Sequence, residues 1–167
     1  RDESSQWVSA LTEAEYVALV ESVFGNYADE LLAVYPVAAF DSPRWAWITL
    51  TTDGSFTCPT RRLARSLASA GSQDVYRYWF TKPPNGASGT AYGVWHGLEL
   101  VYVFQHLDAI AEATGYVPDD ADRAAESLFA LAWGNLAASG TAGAPQALPV
   151  TWPAYDPDTE PTLAIGG

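Results

Sequence analysis

Apolar positions near the start of the chain predict an amphipathic helix. Thr12 and Glu15 form the pattern of a capping box, in which each side chain accepts a hydrogen bond from the other residue's backbone. Apolar residues then recur at spacings of three and four, as on one face of a helix: Tyr16, Leu19, Val20, Val23 and Phe24. Gly25 is a typical residue to end such a helix.

Further along the chain, similar patterns predict more helices and two strands. A short helix is expected at residues 28–34, and Ser42-Pro43 provides an N-cap and a first-turn proline for a third helix. Residues 74–80 are aromatic and β-branched, which favours a strand. Residues 118–120 cap a long helix, and residues 162–165 predict a late strand.

Length and composition favour a single globular domain. The chain has 167 residues, of which 49% are apolar, enough to bury a core. Its net charge of -12, from 20 acidic and 8 basic residues, opposes binding to nucleic acid and to anionic membranes, so neither is expected as a partner.

No stretch approaches the roughly 20 apolar residues that a membrane-spanning helix needs, so membrane insertion is not expected. The first residues do not form a signal peptide, so any targeting segment is expected to be removed or to lie upstream.

The most informative stretch is Tyr92–Phe104, which follows a loop rich in proline and glycine and contains His96. The glycine after this histidine leaves space for another group to approach the imidazole. Histidine is a common general base, and Glu99 follows three residues later. The residues alone leave a second interpretation open, a partly buried histidine that bonds to a backbone carbonyl.

The sequence of this stretch, Gly-Val-Trp-His-Gly-Leu-Glu-Leu-Val-Tyr-Val-Phe, resembles the histidine segment of type-B carboxylesterases, the branch of the α/β-hydrolases that includes cholinesterases. The resemblance implies that His96 is the general base of a Ser-His-Glu triad. Arg1-Asp2-Glu3 resembles the family's acid segment, with Ser4 in place of a glycine, and implies that Glu3 orients the imidazole. On its own, Glu3 would be interpreted as a solvated acidic residue. The order of acid before histidine is the one that α/β-hydrolases use.

Three further segments resemble the same family in the same order: 53–61, 133–140 and 152–155. A helix is expected to continue from the first of them to Gly71. In that segment, Asp53 is interpreted as a buried structural carboxylate, paired with a nearby arginine (Arg61 or Arg62) or with a group outside this chain.

Cys58 belongs to the same segment. A packing role or half of a disulfide is favoured over thiol catalysis. In many relatives this cysteine is disulfide-bonded, but the sequence has no second cysteine.

The resemblance covers nearly the whole chain but only the last part of the family's usual domain. It implies an α/β fold, the C-terminal part of an α/β-hydrolase, with helices packed on a few strands of a sheet that a missing N-terminal part completes. Residues 1–167 are expected to form the C-terminal segment of a single catalytic domain. No Gly-x-Ser-x-Gly motif occurs in the sequence, so the serine and the oxyanion hole are expected from the N-terminal portion of the same enzyme. This chain alone is therefore expected to be inactive.

Around His96, the resemblance implies that Tyr92, Trp95 and Leu98 line the alcohol-side pocket for a small-molecule ester. Plain loop packing explains these three residues equally well. Glu99 is expected to be a carboxylate close to the triad but not part of it.

No metal or other cofactor is expected, because the two histidines and one cysteine do not occur at the spacing of a metal-binding motif.

Two other classes of protein remain open. One is a non-catalytic hydrolase-like domain used for adhesion or binding, although the presence of both Glu3 and His96 argues against it. The other is a free-standing helical binding domain, which the length permits.

Overall fold

The computed structural model describes residues 10–71, 74–86, 89 and 92–166. The chain divides into two compact units, with the boundary between Thr60 and Arg61. The prediction that all residues belong to one catalytic domain stays a prediction. None of the described helices is both long enough and apolar enough to cross a lipid bilayer.

The first helix of the first unit, α1 (Glu13–Phe24), begins as the sequence predicts. The Thr12 hydroxyl accepts a hydrogen bond from the Glu15 backbone N–H, and the Glu15 carboxylate accepts one from the Thr12 N–H at 2.8 Å. The predicted capping box is therefore confirmed. The helix ends at Gly25, whose φ of +53° is a conformation that glycine adopts without strain.

The next two helices also match their predicted positions. They are α2 (Ala28–Val34) and α3 (Pro43–Thr52), and the Ser42 hydroxyl caps α3 by accepting the Trp45 N–H at 3.3 Å. A π-helical turn (Asp53–Thr57) follows α3 and leads directly into α4 (Cys58–Ala70), which continues into the second unit. Short 3₁₀ turns at Gly25–Tyr27 and Val37–Ala39 connect the earlier helices.

The core of the first unit lies between α1, α2 and α3. Its buried members are Tyr16, Val20, Ala28, Ala46, Trp47 and Leu50. The Tyr16 hydroxyl donates a hydrogen bond to the Tyr35 carbonyl at 2.8 Å, so this buried phenol is satisfied.

Among its described residues, the second unit contains two strands and three helices in addition to its part of α4. In chain order they are β1 (Tyr78–Phe80), α5 (Glu99–Val103), α6 (Leu107–Thr114), α7 (Asp120–Ser139) and β2 (Leu163–Ile165). The helix expected after residues 118–120 and the late strand are both confirmed. By contrast, the strand predicted at residues 74–80 is too long, because β2 offers only three residues as partners.

The two strands pair in parallel, with Tyr78 opposite Leu163 and Phe80 opposite Ile165. Phe80 and Ile165 are buried against α5 and α7, where the Phe80 ring lies 4.9 Å from that of Tyr102. Successive strand residues face opposite sides of a sheet, and on the other side Trp79 is 57% exposed. Parallel sheets are usually covered on both faces. An exposed face is therefore consistent with a sheet of which this chain forms only a part.

The tryptophans of the two late motifs pack against β1. The Trp133 ring, on α7, lies 5.4 Å from that of Tyr78 and 5.9 Å from that of Trp152. The Trp152 indole N–H donates to the Arg77 carbonyl at 3.0 Å. These two motifs therefore stabilise the fold by joining α7 and the late loop to the strand.

A surface ion-pair cluster fixes the turn before β2. Glu160, which has a φ of +49°, accepts hydrogen bonds from Arg61 Nε at 2.6 Å and Nη2 at 2.7 Å, and it also pairs with Arg65. The hydrogen bonds from Arg61, together with those from Arg65, lower the pKa of the Glu160 carboxyl group to about 2.

We expect Glu160→Gln to lower the melting temperature near neutral pH. The folded-state pKa of this group, about 2, lies below its ordinary value of 4.5, so its stabilisation is present above about pH 4.5 and is lost as the pH falls towards 2. Thermal melts across this range should therefore show a difference from wild type that shrinks on acidification. Asp158→Asn is the matched control, because Asp158 is exposed on the same turn and has no ion pair among the described residues. A Glu160→Gln effect that does not depend on pH would contradict the prediction.

Candidate active site

His96 opens a tight turn that leads into α5. The Leu98 N–H donates to the Trp95 carbonyl at 3.2 Å, and the Leu100 N–H donates to the Gly97 carbonyl at 3.1 Å. Gly97 has a φ of +82°, which residues with a side chain rarely adopt, so the turn depends on this glycine. His96 is exposed on this turn, contrary to the interpretation as a partly buried histidine.

The three residues predicted to line a pocket differ in their surroundings. Tyr92 is exposed, and its ring meets that of Trp95 edge-on, with 6.4 Å between the ring centres. Trp95 is partly buried and packs against the core of the second unit. Leu98 is a buried member of that core. Packing therefore explains Leu98 and Trp95 without any ligand.

A pocket of about 300 Å³ lies beside the turn. Trp95 and Leu98 line it, together with Ile110 of α6 and Tyr116, whereas Tyr92 is not among its described lining residues. The pocket is mostly apolar, as ligand pockets usually are. Its use as a substrate pocket stays a prediction.

Glu99 is the first residue of α5 and is partly buried. A carboxylate is favourable at this position because the N-terminus of a helix carries partial positive charge. Burial raises the pKa of Tyr78 to about 12, and the nearby Glu99 charge adds to that increase. The expected place of Glu99 near the triad stays a prediction.

A sequence model of the carboxylesterase family matches residues 2–167. The chain belongs to the carboxylesterase family. The match includes both His96 and Glu3, and it confirms the resemblance that the motifs indicate.

Solved esterase structures show the same fold. A pNB esterase matches with a TM-score of 0.67 and 24% identity, over 95% of this chain and 30% of its own. A thermophilic pNB esterase matches with a TM-score of 0.68 and 23% identity, over the same shares of the two chains. These likenesses confirm the α/β-hydrolase fold class that was predicted. The chain spans 30% of the length of these esterases.

Two residues of the carboxylesterase motifs, Glu3 and Asp53, are not found in their predicted surroundings. Glu3 lies outside the described residues, and the surroundings of Asp53 differ from those predicted. Glu3 belongs to residues 1–9, outside the described residues, so its pairing with His96 stays a prediction. Asp53 is predicted to be buried and paired with an arginine or with a group outside this chain, but it is only partly buried and accepts a hydrogen bond from the Tyr35 hydroxyl at 2.9 Å. A pairing with a group outside this chain stays a prediction. A partly solvated carboxylate can be satisfied by a hydroxyl donor and solvent. Burial and this hydrogen bond raise the pKa of Tyr35 to about 12.

Cys58 and His106 are the remaining candidates for a nucleophile or a metal ligand. Cys58 is an exposed free thiol at the start of α4. His106 precedes α6, is exposed, and has its ring 6.2 Å from that of Phe104. Within the described ranges, no group of three or more acidic, histidine or cysteine residues is placed to hold a metal ion.

Sequence reasoning missed a buried polar network near the carboxylesterase histidine segment. Its centre is Asp122, which is 0% exposed, and it includes Lys82, which is 6% exposed. The available signal was weak: Lys82 is the only lysine of the chain and lies two residues after the predicted strand. Nothing local indicates that it reaches an aspartate on a distant helix.

We expect Leu98→Ala to destabilise this carboxylesterase chain by about 2–5 kcal/mol, the usual cost of truncating a buried leucine. Leu98 is 8% exposed and packs with the core around Phe80 and Phe129. Leu100→Ala, two residues further along in α5, is the matched control, because Leu100 is 50% exposed and its truncation should cost about 0.5 kcal/mol or less. Urea denaturation measures both changes. Similar losses for the two variants would show that Leu98 is not a core residue.

Proposed function

We propose that the complete protein hydrolyses small-molecule carboxylic esters with a Ser-His-Glu triad, to which this chain contributes His96 and Glu3. The serine and the oxyanion hole come from the N-terminal portion of the same enzyme, and the 167 residues alone are inactive. One observation carries the proposal: a histidine in the family's motif lies on an exposed turn of a chain that matches the carboxylesterase family from residue 2 to 167.

In this mechanism, the His96 imidazole accepts the serine proton while the serine oxygen attacks the ester carbonyl carbon. Backbone N–H groups of the N-terminal portion stabilise the negative charge that develops on the carbonyl oxygen. When the tetrahedral intermediate collapses, the C–O bond to the alcohol breaks and the imidazolium returns its proton to the leaving oxygen. Water then attacks the acyl-enzyme with His96 again as the base, which releases the acid and restores the serine.

Glu3 acts through the second ring nitrogen of His96. Its carboxylate accepts that N–H, which holds the imidazole in the tautomer that can take the serine proton, and it stabilises the imidazolium once formed. The exposure of His96 supports this assignment, because an imidazole on the surface of its unit is accessible to groups from elsewhere in the polypeptide.

The alcohol part of the ester is proposed to lie near Tyr92, Trp95 and Leu98. The apolar pocket lined by Trp95 and Leu98 and the exposed ring of Tyr92 support an apolar leaving group. Glu99 is proposed to support the triad from the start of α5 without contacting the substrate.

We expect His96→Ala in the complete protein to lower kcat for a p-nitrophenyl ester by about 10³-fold or more, since the general base is removed. It should also slow labelling of the serine by a fluorophosphonate. His106→Ala, which removes the only other histidine, should retain near wild-type activity. A wild-type protein without ester hydrolysis and without a labelled serine would refute the esterase and favour a non-catalytic hydrolase-like binding domain.

Glu3→Gln should lower kcat on the order of 10⁴-fold, as loss of the triad acid does when it leaves the imidazole in the wrong tautomer. KM should change little, because the acid does not contact the ester. Steady-state kinetics with the same substrate measure both constants. Asp2→Asn removes the neighbouring carboxylate and is the control. If the two variants lose activity equally, Glu3 is not the triad acid.

A further inference from the structure

One buried carboxylate contacts both ends of the segment that carries His96. Asp122, near the start of α7, accepts a hydrogen bond from the Tyr102 hydroxyl on Oδ1 at 2.9 Å, and Lys82 Nζ lies 3.3 Å from the same oxygen. Its Oδ2 accepts from the Tyr116 hydroxyl at 2.7 Å. Lys82 and Tyr102 are the two ends of the segment 82–102, which contains His96, so a single side chain joins these ends.

The anchor before His96 is rigidly held. Lys82 Nζ also donates to Asp119 Oδ2 at 3.1 Å and to Asn85 Oδ1 at 3.2 Å, so the ammonium group is bonded on several sides. The backbone of Gly166, just after β2, packs so closely that a side chain there would lie 2.2 Å from Lys82 Cβ. Lys82 therefore cannot shift without disturbing the end of the sheet.

The anchor after His96 is equally buried. Tyr102 is fully buried on α5, the helix that begins three residues after the histidine, and its ring packs on Phe80. Burial raises the pKa of Tyr102, and the bond to Asp122 raises it further, so the phenol stays protonated and donates.

Asp122 is itself fixed by the start of α7. Its backbone N–H donates to Asp119 Oδ1 at 2.8 Å, while its Oδ2 accepts the Asp119 N–H at 2.8 Å, which is a reciprocal capping box. The positive end of the helix dipole favours both carboxylates. The carboxylate that holds Lys82 and Tyr102 is thus tied to the longest described helix of the second unit.

We propose that Asp122 is a positioning residue for His96, which fixes the turn at residues 96–98 by holding Lys82 and Tyr102 at the two ends of its segment. The inference rests on the proposed function, because positioning matters only if His96 transfers protons. A misplacement of about 1 Å in a reacting group can cost on the order of 100-fold in rate. The turn leads directly into α5, which carries Tyr102, so a shift of that helix moves the turn as well.

The test begins with Tyr102→Phe in the complete protein, which removes one hydroxyl and leaves the ring in the core. We expect kcat for the p-nitrophenyl ester to fall about tenfold with little change in KM, because the imidazole is misplaced while the Tyr102 ring, which also lines the apolar pocket, stays in place. Asp122→Asn should lower kcat at least as much. Tyr155→Phe is the matched control: Tyr155 is also buried, and its hydroxyl has no hydrogen-bond partner among the described residues. An unchanged kcat in Tyr102→Phe and Asp122→Asn, or an equal loss in Tyr155→Phe, would overturn the inference.

A double variant tests whether the two residues act together. If the Tyr102 hydroxyl acts through Asp122, Tyr102→Phe should cause little further loss in an Asp122→Asn background. Fully additive losses would show that it acts by another route. All variants are assayed well below their melting temperatures, so that a general loss of stability does not imitate mispositioning.

Hydrogen exchange separates this inference from the proposed function. In Tyr102→Phe, the Leu98 and Leu100 amides of the turn should exchange faster, while the Thr81 amide, bonded to the Ile165 carbonyl at 2.8 Å, should not change. Unchanged exchange at the turn would overturn the positioning role even if the enzyme is an esterase. A wild-type protein that hydrolyses no ester would refute the proposed function, while the exchange rates would still decide whether Asp122 holds the turn.

Discussion

The second unit depends on the buried ion pair between Lys82 and Asp122. Removing two charges from water is costly, and an ion pair offsets that cost only when each charge is also well hydrogen-bonded. Each charge meets this condition. Lys82 contacts Asp119 as well as Asp122, and Asp122 accepts a hydrogen bond from Tyr102. Burial alone would lower the pKa of Lys82, but the two carboxylates outweigh it and raise the pKa, so the ammonium stays charged. The pair thereby connects the end of β1 to α5 and to the start of α7.

The elements that the sequence predicts well are those whose ends are encoded locally. Capping groups at Thr12, Ser42 and Asp119 lie within a few residues of the N–H groups they bond, so their pattern is visible in the sequence. The helix α5 was not predicted, since a short apolar run fits a strand or a helix equally well. Likewise, the length of β1 could not be predicted, because a distant partner of three residues decides it.

In the candidate site, too, local features are predictable from the sequence and long-range contacts are not. The motif around His96 identifies the histidine and its glycine, and the structure adds the exposed turn. The tyrosine partner of Asp53 and the pairing of Lys82 with Asp122 join residues far apart in sequence, so only tertiary packing reveals them. The motif thus identifies His96 as the candidate base, but it does not show which residues hold the imidazole in place.

Two exposed features of the second unit share one explanation. Trp79 lies on the open face of the described parallel strand pair, and parallel sheets are usually covered on both faces. His96 lies on an exposed turn, where the proposed mechanism requires a serine that this sequence does not supply in its usual motif. The chain spans 30% of the length of the esterases it matches, so we expect the same additional polypeptide to cover the tryptophan and to bring the nucleophile. In the proposed mechanism, the exposed turn gives that serine an accessible base.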